Sequence, residues 1–191
     1  MSKKTDILEA ATFLFATKGF TDTSMGEVAA LSEVASATVF YHFKTKEEVF
    51  LSVLSNVKDG ILEEFSHYFS ERKFENGAAL LEGSVAFYLY LAGIRQPWFL
   101  LLHRYYPYKL AEGNAFCRNL LEEIYNCFLG IFEKALVKGQ EDGSVGELTP
   151  RKTALIILST VDGMVRFKTC NLYDAGALYN ELMVLIGRMI K

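Results

Sequence analysis

Thr23-Ser24-Met25-Gly26-Glu27-Val28-Ala29-Ala30-Leu31-Ser32-Glu33-Val34-Ala35-Ser36-Ala37-Thr38-Val39-Phe40-Tyr41-His42-Phe43-Lys44-Thr45-Lys46-Glu47-Glu48 is the stretch that decides the fold. Ser24-Met25-Gly26-Glu27 is a capping box, Ser-x-x-Glu, and it opens a short helix through Val28, Ala29 and Leu31. A turn at Ser32-Glu33-Val34 separates it from a second short helix, Ser36 to Tyr41, ending near Phe43. Thr45-Lys46-Glu47-Glu48 has the spacing of another capping box. It starts a long helix carrying Val49, Phe50, Val53, Leu54, Val57, Ile61, Leu62 and Phe65.

Upstream, Ile7, Ala10, Ala11, Leu14 and Phe15 fall on one helical stripe, and Gly19 is placed to take a left-handed cap after Lys18. The order is therefore helix, two short helices around a tight turn, then a long helix leaving the domain. Short helices so joined form a helix-turn-helix, whose second helix enters a DNA major groove. Paired short helices also occur in bundles with no DNA role, so spacing alone leaves both open.

Downstream, helical patterning resumes from Ala78 to Arg95, and Gln96-Pro97 is expected to end it. A segment dense in rings follows, then a long helix from Phe116 to Lys138 that Gly139 is expected to close. Thr149-Pro150 pairs an N-cap with Pro at the first helical position, and a last helix begins at about Asp174. No strand alternation is visible. The expected fold class is all-α: a three-helix head at 1–45 joined to a larger helical bundle at 46–191, about nine helices in total.

Composition narrows the function without deciding it. Of the 191 residues 51% are hydrophobic and 23% charged, which excludes disorder as the dominant state. Only 3 Pro suits long helices. Cys117, Cys127 and Cys170 form no CxxC pair, so a zinc site, a disulfide framework and a cofactor are not expected. With no signal-peptide pattern and no apolar run near ~18 residues, a cytoplasmic location is expected. Net charge is −3, and the first fifty residues hold five Lys against seven Asp or Glu, so charge makes no case for nucleic acid.

Motif makes that case. Ile7-Leu8-Glu9-Ala10-Ala11, Leu14-Phe15-Ala16, Lys18-Gly19-Phe20, Thr23-Ser24-Met25, Val28-Ala29 and Tyr41-His42-Phe43-Lys44-Thr45-Lys46-Glu47-Glu48-Val49-Phe50 resemble the DNA-binding domain of TetR-family regulators, without a gap over residues 5–54. The resemblance implies a homodimeric, ligand-responsive transcriptional regulator, a repressor by default, released from a palindromic operator. Where the family usually has Ala-Gly-Val-Ser, this chain has Ser32-Glu33-Val34-Ala35, so Glu33 is expected to strain or widen the turn and Ser36 to take over the cap. Phe40 stands where the family usually places a phosphate-binding Tyr, with Tyr41 as its substitute. The Leu31-Ser32-Glu33 variant is similar to the branch containing multidrug-binding repressors.

By position, the expected DNA contacts are Thr23, Ser24, Ser36, Ala37, Thr38, Tyr41, His42, Lys44 and Lys46, with Val39 and Phe43 in the core. Hydroxyls and short side chains suit base edges, and Lys44 and Lys46 suit phosphates. The aromatic share of 14% points either to dense packing or to a ring-lined pocket. For the pocket the candidates are Phe65, Phe69, Phe87, Tyr90, Trp98, His103, Tyr106, Tyr125, Phe128 and Met164, with Arg95, Arg104 and Arg166 as polar handles for a small lipophilic or aromatic effector. The dimer is expected through 150–167 and 174–190, where a Glu at Leu182 or Ile186 is expected to bury an unpaired charge. Enzymatic pairings such as His103 with Asp162 or Cys117 lack motif spacing, and a helical adaptor would not explain so complete a motif.

Overall fold

The computed structural model describes residues 2–191, apart from the side chain of Ala175. Among the described residues there is no strand, and the helices follow as α1 (Lys3–Thr17), α2 (Met25–Leu31), α3 (Ser36–His42), α4 (Lys46–Phe69), α5 (Gly77–Ile94), α6 (Gln96–Leu102), α7 (Tyr105–Gly113), α8 (Ala115–Asp142), α9 (Pro150–Thr169), a 3-10 turn (Ala175–Leu178) and α10 (Tyr179–Met189). They gather into two compact units, Met1–Gly60 with Pro97–Ile124 and Ile61–Gln96 with Tyr125–Lys191.

In the first unit local signals set the helix ends. The Ser2 hydroxyl accepts from the Thr5 amide at 3.2 Å and starts α1. Gly19, at φ +91°, turns the chain after it. At that angle a side chain would be strained, which is why glycine stands there. Ile7, Ala11, Phe15, Val28, Val39, Val49, Phe50 and Val53 are buried to 3% exposure or less and form the core. Trp98 from α6 lies so close to Gly60 of α4 that a Cβ there would strike its ring.

In the second unit α5 packs on α9. Its length and composition alone would suffice to cross a membrane, contrary to the expectation from its sequence, but Leu81, Val85, Phe87, Tyr88 and Leu91 are buried within the unit. The Tyr88 hydroxyl donates to Asp162 Oδ1 at 2.5 Å, and the Tyr88 ring meets Phe128 edge-on at 4.6 Å.

One expected helix end holds and one is displaced. Helix α5 ends at Ile94, where expected, with Arg95 breaking it at φ −117° and ψ 40°; α6 starts at once with Pro97 in its first turn, where a missing amide costs nothing. Gly139 does not close α8. It lies inside the helix, where a Cβ on Gly77 would collide with its backbone and a Cβ of its own would collide with Val145. The left-handed residue is Gly143, φ +78°, just beyond Asp142. The Thr149-Pro150 start is found as expected, although the Thr149 side chain makes no capping bond.

Candidate nucleic-acid interface

The α2–turn–α3 segment is held by bonds at both ends. Ser24 and Glu27 form both arms of a capping box, with the Glu27 amide donating to Ser24 Oγ at 3.2 Å and the Ser24 amide to Glu27 Oε2 at 2.8 Å. Glu27 also pairs with Lys18. Those hydrogen bonds, from Lys18 first and then from Ser24, hold the Glu27 carboxyl down at about 2. In the turn, Glu33 adopts φ +53°, the strain expected of a non-glycine residue there. The Val34 amide still reaches the Ala29 carbonyl at 3.1 Å, so the turn stays tight instead of widening.

Helix α3 begins from Ala35, with no side-chain cap, so Ser36 does not take over that duty. Val39 and Phe43 are buried, as expected, and they fix which side of α3 faces outward. Ser36, Ala37 and Lys44 are exposed, Thr38 and His42 half-buried. Tyr41 is 77% exposed and meets His42 edge-on at 5.1 Å. Phe40 is also largely exposed, and the Lys44 ammonium folds back to its carbonyl at 3.2 Å. An isolated surface helix would gain nothing from exposing these rings; a helix laid in a groove would bury them.

Thr23, Ser24 and Lys46 are engaged by the scaffold itself, Thr23 buried, Lys46 half-buried and Ser24 exposed. Thr23 is 1% exposed and donates its hydroxyl to the Gly19 carbonyl at 2.8 Å. The Ser24 hydroxyl is taken by the capping box. Lys46 places its ammonium 4.4 Å from the Phe20 ring centroid and donates to the carbonyls of Phe20 at 2.7 Å, Thr21 at 3.2 Å and Thr23 at 2.8 Å. An ammonium has three donors, and here all three are used. A phosphate at Lys46 would have to displace one of them. At the start of α4 Thr45 Oγ1 accepts from the Glu48 amide at 3.1 Å, while the Glu48 carboxylate takes the Lys44 amide, so the second capping box closes one residue early.

The same unit holds a strap from α6–α7 that the sequence did not disclose. Arg104, expected as a ligand handle, donates to the Ala16 and Thr17 carbonyls at 2.9 and 2.5 Å and so closes the C-terminal end of α1. Tyr106 stacks on Phe20, and Asn114 donates to Glu47 at 3.0 Å. Burial, with the charges of Glu47 and Cys117 beside it, pushes the Tyr106 phenol up to about 12. The Cys117 thiol, buried against the Pro107 carbonyl, is pushed up to about 11 by burial and Glu47, so it stays protonated at neutral pH and offers no thiolate nucleophile.

The expected pocket rings divide between the units. Trp98, His103 and Tyr106 belong to the first; Phe65, Phe69, Phe87, Tyr90, Tyr125, Phe128 and Met164 belong to the second. In the second, Phe65, Phe69 and Phe87 pack on one another at 4.5 to 5.9 Å, and Tyr68 bridges Phe87 and Tyr90 at 5.2 Å from each. Phe128 joins the separate cluster around Tyr88. Arg95 is paired with Glu64 at 2.6 Å. Still within the second unit, α9 and α10 expose Leu155, Ile156 and Phe167, and Val184, Leu185 and Met189. Leu182 and Ile186, expected at the dimer interface, are 3% and 2% exposed within the protomer.

Residues 7–53 match the bacterial regulatory proteins of the tetR family. Over 187 residues the chain is 26% identical to the fatty acid metabolism regulator protein of Bacillus subtilis (strain 168), covering 96% of this chain and 93% of that protein. Over 55 residues, 29% of each chain, it is 44% identical to the HTH-type transcriptional regulator QacR of Staphylococcus aureus (strain Mu50). The crystal structure of the transcriptional regulator FadR from Bacillus subtilis in complex with stearoyl-CoA has the same fold, with TM-score 0.78 at 22% identity over 98% of this chain and 99% of that one.

Proposed function

We propose that this chain, which belongs to the tetR family of bacterial regulatory proteins, is a homodimeric transcriptional repressor of the cytoplasm that a lipophilic effector releases from a palindromic operator. The observation that carries this reading is the outer side of α3: Ser36, Ala37 and Tyr41 stand clear of the protein while Val39 and Phe43 anchor the helix from behind. Short hydroxyl and methyl groups allow close approach to base edges, and a tyrosine reaches a base or a phosphate. By function the chain divides at residue 45, with the DNA head before it and effector sensing and dimerisation after it.

Two copies related by a two-fold axis set two recognition helices on successive major grooves, roughly 34 Å apart. The exposed apolar residues of α9 and α10 support that dimer, since they would otherwise face water. For the effector, the relative named for fatty acid metabolism and the neighbour holding stearoyl-CoA support an acyl thioester over a flat aromatic drug. Because α4 and α8 belong to both compact units, an effector that favours one helix arrangement shifts the population of DNA-competent dimers.

The test is a gel shift on the duplex upstream of the chain's own gene at moderate salt, with and without stearoyl-CoA. Binding to that duplex over a scrambled one is expected, with release on adding the thioester. Equal binding to both duplexes would remove the operator reading; retention in stearoyl-CoA would remove the acyl-thioester reading alone.

A further inference from the structure

The first fifty residues hold five lysines, and the structure assigns each a different surrounding. Lys18 is paired with Glu27. Lys46 spends its ammonium on three backbone carbonyls. Lys3 lines an open groove with Asp6, Glu9 and Glu33, an acidic surface that repels a phosphate. Lys44 lies just past the C-terminal end of α3. Lys4 remains.

Lys4 is exposed, in the first turn of α1, one residue from Lys3. Its ammonium stands 5.8 Å from the centroid of the Phe43 ring. Phe43 is the residue that ends α3, between His42 and Lys44, and it is 2% exposed. The fold therefore brings a cation from the far N-terminal turn to the end of the helix that carries Tyr41 and His42. No carboxylate holds it there among the described residues, so its charge is not neutralised internally.

We propose that Lys4 is a phosphodiester contact, forming with Lys44 a two-lysine clamp on the DNA backbone at the C-terminal end of α3. The proposal rests on the DNA-binding reading of α3 and deepens it: the cationic contact that sequence places at Lys46 is transferred to Lys4. A backbone contact positions the head without reading sequence. Removing it weakens every duplex alike and lowers the salt dependence by one released counterion.

The experiment is fluorescence anisotropy of the full chain on a labelled random-sequence duplex, titrated across salt concentrations, for wild type, Lys4→Gln, Lys3→Gln and Lys46→Gln. Lys4→Gln is expected to make the log–log salt slope shallower by about 0.9 and to weaken binding about eightfold at ~0.1 M salt. Lys3→Gln, with the same charge change one residue away, is expected to keep the wild-type slope. A wild-type slope in Lys4→Gln overturns the clamp, as does an equal loss in Lys3→Gln, which would reveal a diffuse field in place of a contact. If Lys46→Gln loses the slope while Lys4→Gln keeps it, the contact belongs to Lys46. Failure of the wild-type chain to bind any duplex brings down the DNA-binding reading itself, and the clamp with it.

Discussion

Tyr106 lies flat on Phe20, with ring centroids 3.8 Å apart and planes 6° from parallel. Phe50 meets both rings edge-on, at 5.4 Å and 5.0 Å, so three segments distant in sequence close one aromatic cluster at the end of α1. Arg104 closes the same helix end through its last carbonyls. Tyr106→Ala removes the stack and leaves a gap that three packed rings cannot easily refill. The expected loss is about 3 kcal/mol of unfolding free energy. Tyr106→Phe keeps the stack and should cost under ~1 kcal/mol, read by urea denaturation. An equal loss in both variants would place the energy in the phenol hydroxyl and not in the ring.

Acid should loosen the same head through a different residue. The folded-state carboxyl of Glu27 titrates at about 2 against an ordinary 4.5, held down by Lys18 and Ser24. A lowered folded-state value means that the unfolded chain binds the proton more readily. The contribution is present above about 4.5 and disappears as pH falls through about 2. Thermal unfolding of wild type against Glu27→Gln should therefore diverge at neutral pH and converge on the acid side of that window. Parallel curves down to the lowest pH would show that the ion pair and cap contribute nothing that titrates.

Glu33 offers a substitution that should stabilise. At φ +53° it holds a left-handed conformation that costs an L side chain about 1 kcal/mol and costs glycine almost nothing. Its side chain is exposed and lines the acidic groove of α1 and α2. Glu33→Gly is expected to gain up to about 1 kcal/mol, offset in part by the greater freedom of glycine in the unfolded chain. A melting temperature below wild type would mean that Glu33 makes a stabilising contact in solution.

Three local signals disclose their elements: Ser24 with Glu27, Gly19, and Thr149-Pro150 end or start helices at the expected residues. Where one residue type serves two purposes, it is ambiguous. Pro97 marks the break after α5 but also sits in the first turn of α6, and Gly139 reads as a cap but lies inside α8, where a Cβ of its own would strike Val145. The duties of Lys46 and Arg104 are set by carbonyls some 23 to 26 and 87 to 88 residues away in sequence, beyond any local pattern. Ring content does not distinguish packing from a pocket, and the structure divides those rings between two units. Helix α10 is apolar at Leu182, Met183, Val184, Leu185 and Ile186, so its periodicity cannot say which side turns inward.

That last ambiguity yields a paired test of the dimer. Leu182 and Ile186 are core residues of the protomer, whereas Ile156 on α9 and Leu185 on α10 are 55% and 57% exposed in it. A charge at Leu182 would be buried without a partner in the monomer itself, so Leu182→Glu should cost more than about 4 kcal/mol and unfold the chain. A charge at Ile156 or Leu185 meets water in the monomer and is buried only in a dimer that uses this face. Ile156→Glu and Leu185→Glu are therefore expected to keep the helical circular dichroism of wild type but to sediment as monomers. Their DNA affinity should fall with the loss of the second head, because one recognition helix then binds without the effective concentration supplied by its partner. If both variants remain folded dimers with wild-type DNA binding, α9 and α10 do not form the interface. If Leu182→Glu alone gives a folded monomer, the inward and outward faces of α10 are exchanged.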